Sequence, residues 1–214
     1  MNSKEKLNQC PVCSSQQLHT GFLNVKDYTV SGDIFSIDKC ESCGFQFTNP
    51  RPDLQSIGQY YQSSAYISHH DEEENLLTKV YNAVRNLTTN QKIELLQNNT
   101  NVTKPSLLDI GCGAGFFLQQ CKKKQWKVTG TEPDPDARAV ASKRVGEELY
   151  ASIEHSELQN QQFDLITMWH VLEHVHDLNG TMKWLSTHLK KEGTLFIAVP
   201  NNASYDAQQF KENW

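Results

Sequence analysis

No window of this chain approaches the roughly 18 consecutive apolar residues that a membrane-spanning helix needs. The opening Met1-Asn2-Ser3-Lys4-Glu5-Lys6 is followed by no apolar stretch, so it does not read as a secretory signal. Positive charge is scarce as well: 20 Lys and Arg face 25 Asp and Glu, a net charge of -5, and the isoelectric point is near 5.9. Such a balance lacks the basic surface that holds a phosphate backbone, which argues against nucleic acid as a partner. No internal repeat is found. These absences point to a cytoplasmic protein with no membrane association, in which the six cysteines stay reduced. In that setting Asn-x-Ser/Thr triplets such as Asn86-Leu87-Thr88 read as chance.

The 214 residues suffice for one α/β domain and a small appendage. Mean hydropathy is low, -0.60, but the apolar residues cluster toward the C-terminal half, which can bury a core. The N-terminal part needs a metal, or packing against that half, to stay folded. Three zones follow: residues 1–50, with four cysteines; residues 51–104, rich in Tyr, Gln, Asn and acid; and residues 105–214, where strand and helix patterns alternate.

In the middle zone, Asp71-Glu72-Glu73-Glu74 precedes Leu76, Leu77, Val80, Tyr81, Val84 and Leu87, whose spacing predicts a helix with one apolar face and acids at its positive end. A second short helix is expected around Ile93 and Leu96, then a linker to Pro105. Strands are expected at 106–110, 127–131, around Leu149 and Tyr150, at 163–168 and at 194–199. Helices are expected at 115–125, from Asp134-Pro135 to Arg144, and from Asp177 through Leu189 to a stop at Gly193. Strands separated by single helices imply right-handed crossovers and a parallel, doubly wound Rossmann-like sheet, with ligands at the C-terminal strand ends.

The most informative stretch is Leu108-Asp109-Ile110-Gly111-Cys112-Gly113-Ala114-Gly115-Phe116. Its glycines permit a sharp turn and close backbone approach to a ligand. A dinucleotide-binding turn would require glycine where Phe116 stands, and the Asp109 carboxylate would repel a pyrophosphate. It suits an ammonium group instead. Glu132, 21 residues after Gly111, ends the next strand, where an acid can accept hydrogen bonds from ribose hydroxyls. A ribose and a cationic tail without phosphate describe S-adenosylmethionine. The bland alternative for the glycines is an ordinary strand-to-helix connection, and Cys112 reads as a small packing residue.

The segment Asp109 to Gly115 resembles the first motif of class I S-adenosylmethionine-dependent methyltransferases, and Glu132 matches their ribose-binding acid. Phe163 through Val175 is similar to their fourth-strand segment, and Leu189 through Leu195 to the turn into their fifth strand. The likeness spans roughly residues 105 to 204. It implies a cofactor site drawn from Asp109, Gly111, Cys112, Gly113, Gly115, Glu132, Pro133, Ile153, Trp169 and His170. In that site Gly111 and Gly113 approach the methionine moiety, Asp109 its amino group, the backbone near Ile153 the adenine, and Trp169 and His170 the sulfonium. The acid often found beside the adenine is absent, since Ser152, Ile153 and Glu154 stand there.

Cys10-Pro11-Val12-Cys13 and Cys40-Glu41-Ser42-Cys43-Gly44 form two Cys-x-x-Cys pairs, 26 residues apart. Four thiolates suit a closed, tetrahedral structural Zn²⁺ site, and metal binding would supply folding energy that the region lacks. A redox pair is disfavoured because no βαβ unit surrounds either motif; reduced thiols without metal are the remaining reading. This layout, with Asn49-Pro50-Arg51-Pro52 and the Tyr60, Tyr61, Tyr66 segment, resembles a bacterial group that joins such a ribbon to the methyltransferase fold. Sugar C-methyltransferases share a related layout, which suggests a small-molecule acceptor such as a sugar or cell-envelope precursor.

His170 and His174 lie just past the fourth strand and would share a face if 170–176 were a helical turn. Either could serve as general base; packing, capping or, less readily, a metal are the other readings. Tyr60, Tyr61 and Tyr66 could line a lid or simply pack. Class I methyltransferases usually add two further strands, so the sequence reads as a piece of a longer protein ending at Trp214. Two other functions compete: a non-catalytic module that holds S-adenosylmethionine or S-adenosylhomocysteine while the ribbon recruits a protein, and a nicotinamide-dependent oxidoreductase, which Phe116 and Asp109 disfavour.

Overall fold

The computed structural model of the chain describes residues 3–28, 30–61 and 76–213, without the side chains of 61 and 76–79. Asp71 to Glu74, Tyr66, and the side chains of Tyr61, Leu76 and Leu77 therefore lie outside the described residues. The chain divides into two compact units. One comprises Met1–Glu72, His176–Asn179 and Asn201–Trp214; the other comprises Glu73–Val175 and Gly180–Pro200.

In the first unit β1 (Lys4–Glu5) pairs antiparallel with β5 (Arg51–Pro52). Strands β2 (Leu18–Lys26), β3 (Ile34–Cys40) and β4 (Gln46–Thr48) form an antiparallel sheet in that order. Among its described apolar side chains only Cys10, Cys40 and Pro52 are buried. Polar groups fill the gap. Asn49 and Asp38, both buried, join at 2.7 Å. Asn49 also exchanges hydrogen bonds with both backbone groups of Leu7 (2.8 and 2.9 Å), and Asp38 accepts the Gly21 N–H at 2.9 Å. A unit with so little apolar burial gains from each such bond only about 1 kcal/mol.

The second unit begins with α1 (Leu76–Gln97), followed by β6 (Ser106–Ile110), α2 (Phe116–Lys123), β7 (Lys127–Thr131), α3 (Pro135–Val145), β8 (Phe163–Trp169), α4 (Leu178–His188) and β9 (Leu189–Ala198). The four strands are parallel in the order β7-β6-β8-β9. This is the expected mixed α/β, Rossmann-like architecture. The chain moves outward from β6 to β7 and then crosses back to β8, so the order switches between β6 and β8. Leu107 and Leu108 on β6 enter two different apolar clusters, as alternation across a sheet requires. Each such fully buried side chain contributes roughly 1.5–3 kcal/mol. No helix among the described residues is long and apolar enough to cross a membrane.

Several elements differ from the sequence expectation. The two helices of the middle zone are one, because no proline or glycine interrupts residues 76–97. Its expected apolar face is open: Val80, Tyr81, Val84 and Leu87 are exposed, whereas Thr89, Ile93 and Leu96 are buried. Leu149 and Tyr150 form no strand of their own; Tyr150 makes one parallel bridge to Thr131. The helix expected to stop at Gly193 stops at His188, because Leu189 already pairs with Phe163 in β9. The segment after β8 is a tight 3-10 turn over Leu172–His174, so His170 and His174 are not one turn apart on an α-helical face.

Candidate active site

The second unit brings two carboxylates to the C-terminal ends of adjacent strands. Asp109 lies next to last in β6, in register with Gly130 of β7 and Thr167 of β8, beside the switch point. Its side chain is 2% exposed and accepts a 2.6 Å hydrogen bond from Thr167 Oγ1. Burial pushes its carboxyl up to about 7, against the Thr167 hydroxyl and the charge of Lys92, and with help from the charge of Glu132. Glu132 directly follows β7 and is 5% exposed. Its Oε2 accepts the Gly113 N–H at 2.8 Å and its Oε1 the Asp134 N–H at 3.0 Å. Burial raises its carboxyl too, although those two donors oppose the shift.

The glycines between these acids serve different ends. All three have positive φ. A methyl at Gly111 would stand 2.5 Å from Val171 Cγ2, and one at Gly115 2.9 Å from Ala141 Cβ. Those positions are packed against the protein itself. Gly113 faces open space, with nothing within 4 Å of an added Cβ. The turn therefore leaves one half-buried glycine with open space over it, its N–H held by the Glu132 carboxylate. Cys112 is buried against Gly130, and burial together with the nearby acids drives its thiol far up, which fits a packing residue.

The other expected residues make contacts of their own. The carbonyls of Glu132 and Pro133 accept from Arg138. Ile153 is partly buried against the second apolar cluster, and its carbonyl accepts from Gln159 at 3.0 Å. Trp169 ends β8 with Phe117 edge-on to its ring, and its indole Nε1 is buried with no hydrogen-bond partner. His170 follows with φ 59, a left-handed conformation uncommon for a side-chain-bearing residue, and its N–H donates to Ala198 at 2.8 Å. Glu173 Oε1 lies 3.7 Å from His170 Nδ1 and 4.0 Å from His174 Nε2. Partial burial lowers the His174 imidazole below its usual value, which Glu173 resists and His170 reinforces.

Sequence reasoning missed Lys92. This residue of α1 places its ammonium 4.3 Å from the Trp169 ring centroid. Burial lowers its pKa while Asp109 raises it. A lysine inside a polar helix carries no local signal, and only the fold brings it to the strand ends. Tyr60, by contrast, packs edge-on to Phe35 of β3. A polar groove of about 480 Å³, lined by Lys127, Gln162 and their neighbours, opens at the N-terminal ends of β7 and β8 and contains none of these residues.

In the first unit the two Cys-x-x-Cys turns repeat one geometry. Ser14 and Gly44 follow the second cysteine of each pair, both at positive φ, and both donate N–H to the first cysteine's carbonyl at 2.9 Å. The four sulfurs all lie within 4.8 Å of one another. Cys10 and Cys43, and likewise Cys13 and Cys40, are 3.6 Å apart. Four sulfurs tetrahedral at about 2.3 Å from Zn²⁺ would be about 3.8 Å apart, so this donor set fits the ion. Burial opposes ionisation of Cys40, yet the N–H groups of Cys43 and Ser42 hold its thiol down to about 6. At Cys43 the Phe45 N–H is outweighed by burial and the neighbouring sulfurs, and the thiol is pushed up to about 12. Crowded thiols of this kind ionise together only around a cation.

The profile of the methyltransferase-domain family matches residues 81–214. The chain belongs to that family. Among relatives of this methyltransferase-domain chain are the ubiquinone biosynthesis O-methyltransferase of Hydrogenovibrio crunogenus, 24% identical over 51% of this chain and 48% of the relative, and the tRNA U34 carboxymethyltransferase of Aliarcobacter butzleri, 32% identical over 51% of this chain and 38% of the relative. The chain spans about half the length, or less, of these curated relatives. The plantazolicin methyltransferase BpumL in complex with SAH superposes with a TM-score of 0.51, at 20% identity over 70% of this chain and 62% of that one. That likeness concerns the fold.

Proposed function

We propose that the chain binds S-adenosylmethionine through the Asp109–Glu132 end of its sheet and transfers the methyl group to a small-molecule acceptor, a sugar or other cell-envelope precursor, in the cytoplasm. The observation that carries this reading is the pair of buried carboxylates on adjacent strand ends, flanking the one glycine of the turn that faces open space. Glu132 would accept the ribose hydroxyls, with its bond from Gly113 keeping the carboxylate oriented. Asp109 would take the α-ammonium of the amino-acid tail, and Lys92 its carboxylate, so that a zwitterion meets one acid and one base. Trp169 offers its ring to a cation. The backbone beside Ile153 would border the adenine.

When bound, the cofactor supplies an activated methyl on a sulfonium. The protein's part is to hold donor and acceptor in line and to take up a proton where the acceptor has one. His170 or His174 would accept that proton. A half-buried, depressed His174 is neutral at pH 7, and Glu173 between the two imidazoles would stabilise the imidazolium that forms. Cys10, Cys13, Cys40 and Cys43 would hold one Zn²⁺ as a closed structural site with no open position for chemistry.

The test is a single-turnover assay with methyl-labelled S-adenosylmethionine and a panel of nucleotide sugars and envelope precursors. Label transfer that disappears in Asp109→Ala and falls in His174→Ala supports the reading. Cofactor binding without transfer to any acceptor would favour a binding module instead.

A further inference from the structure

Arg138 stands where helix electrostatics disfavours it. It is the fourth residue of α3, near the end whose unpaired N–H groups carry partial positive charge, and a cation there costs roughly 0.3–1 kcal/mol unless something offsets it. The basic residues that suit this helix, Lys143 and Arg144, lie in its last turn. What offsets the cost is the connection that leaves β7, in the same compact unit. Arg138 Nη1 donates to the Glu132 carbonyl and, at 3.0 Å, to the Pro133 carbonyl, so both hydrogens of one nitrogen go to successive peptide groups. Its backbone N–H donates to the Asp134 carbonyl at 3.0 Å. Three consecutive carbonyls thus end on one half-buried residue.

We propose that Arg138 is a positioning residue for the ribose acid: by holding the Glu132–Pro133 connection and facing the carboxylate as a cation, it keeps Glu132 aimed and ionised for the nucleoside diol. Glu132 lies just beyond β7, and Pro133 has no N–H to bind with. The Glu132 amide is tied to the Tyr150 carbonyl at 2.9 Å, and its own carbonyl is tied by Arg138. Between those two fixed points the side chain reaches the N–H groups of Gly113 and Asp134 at 2.8 and 3.0 Å. Its carboxylate interacts through charge with Asp109 of β6, Cys112 of the glycine turn, Asp134 of the connection and Arg138 of α3. Of these four only Arg138 is a cation. Burial raises the Glu132 carboxyl against the two N–H donors; the Asp134 charge adds to the rise, and Arg138 opposes it. A protonated Glu132 would give up one of the acceptors that a diol needs. The role requires no contact between Arg138 and the ligand. Lysine at this position supplies the charge without the planar fork, which separates the two contributions.

This inference rests on the S-adenosylmethionine reading above, and the experiment separates the two. It compares Arg138→Met and Arg138→Lys, each alone and combined with Glu132→Gln, and Lys143→Met as a charge control on the same helix. In the ligand-free protein the Glu132 side-chain carboxyl is titrated by carbon NMR. Arg138→Met should move its midpoint to higher pH, whereas Arg138→Lys and Lys143→Met should leave it in place. Calorimetry at about pH 8, where Asp109 is ionised, then gives affinities for S-adenosylhomocysteine and its 2′-deoxy analogue. Arg138→Met should weaken the first about fivefold to tenfold and shrink the preference between the two about threefold, as expected for disturbed hydrogen bonds to a charged group. Combined with Glu132→Gln, the same substitution should cost less than about twofold, because its effect runs through Glu132. Affinity and preference within about twofold of the parent in Arg138→Met, or an equal loss with and without Glu132→Gln, would overturn the inference. Should Arg138→Met fail to fold, Arg138→Lys carries the test: it should lose about twofold to threefold in affinity with the midpoint unmoved, and full parental affinity would overturn the inference. A silent Glu132→Gln refutes the ribose reading and the diol half of the inference; an unmoved carboxyl titration in Arg138→Met then refutes the rest.

Discussion

Glu132 Oε2 and the Gly113 N–H are 2.8 Å apart, so the acid at the end of β7 reaches across to the open position of the turn after β6. This contact makes the two expected halves of the site one local structure. It also separates orientation from recognition: one carboxylate oxygen faces Gly113, the other the Asp134 N–H, and the remaining lone pairs are free for a diol. Glu132→Gln keeps the volume but replaces an acceptor with an amide donor. The variant should bind S-adenosylhomocysteine about 10- to 100-fold more weakly, the value of one or two hydrogen bonds to a charged group. Its preference for the ribonucleoside over a 2′-deoxy analogue, measured by competition, should shrink with it. Unchanged discrimination would remove Glu132 from the ribose.

The buried Asp109 makes stability depend on pH in a defined direction. Its carboxyl is raised from 3.8 to about 7 in the folded protein. Between about pH 4 and 7 the folded state holds a proton that the unfolded chain has released, so stability falls as pH rises through that window. Below it there is no penalty; above it the full cost stands, on the order of a few kcal/mol at most. Urea denaturation of the ligand-free protein should therefore show a higher midpoint at pH 5.5 than at pH 8 for this group, and Asp109→Asn should flatten the difference. A cofactor ammonium favours the carboxylate, so binding near pH 6 should release a proton, detected by calorimetry in buffers of different ionisation enthalpy.

Two glycines of the same turn should respond to alanine in opposite ways. Gly115→Ala forces a side chain into a left-handed conformation and 2.9 Å from Ala141 Cβ, which should cost about 2–5 kcal/mol of stability. Gly113→Ala meets open space and should cost only about 1–2 kcal/mol for its conformation. The proposed ligand would occupy that open space, so Gly113→Ala should weaken cofactor binding at least tenfold, more than its small cost in stability accounts for.

Lys92 should matter through charge. Lys92→Met removes the cation from the Trp169 ring and from the field of Asp109. Affinity for S-adenosylhomocysteine should drop about fivefold to tenfold, as for loss of one charged hydrogen bond, and the proton-release window should move to higher pH because Asp109 loses an opposing charge. Lys92→Arg should restore most of both effects.

The strand and turn residues were legible because their signals are local. Lys127–Thr131 alternates within a bounded run, and Asp134-Pro135 carries its own cap, with Asp134 accepting the Ala137 N–H at 2.7 Å. Where a tertiary contact decides, the local pattern misleads. Gly193 resembles a helix stop, but pairing of Leu189 with Phe163 starts β9 before it. The Val80, Val84 and Leu87 stripe resembles a core face, yet α1 buries Ile93 and Leu96 instead. At the site, Asp109, Glu132 and the four cysteines could be named from spacing. Lys92 and the hydrogen bonds of Arg51, His176 and Asn179 could not, because each depends on residues more than 15 positions away.

The most direct test is calorimetric titration of the chain with S-adenosylhomocysteine and, separately, NADH, repeated with Asp109→Asn and Glu132→Gln. The account predicts a single saturable site for S-adenosylhomocysteine, at least tenfold weaker in each variant, and no heat with NADH. Binding of S-adenosylhomocysteine that is indifferent to both substitutions, or tighter binding of NADH, would contradict it.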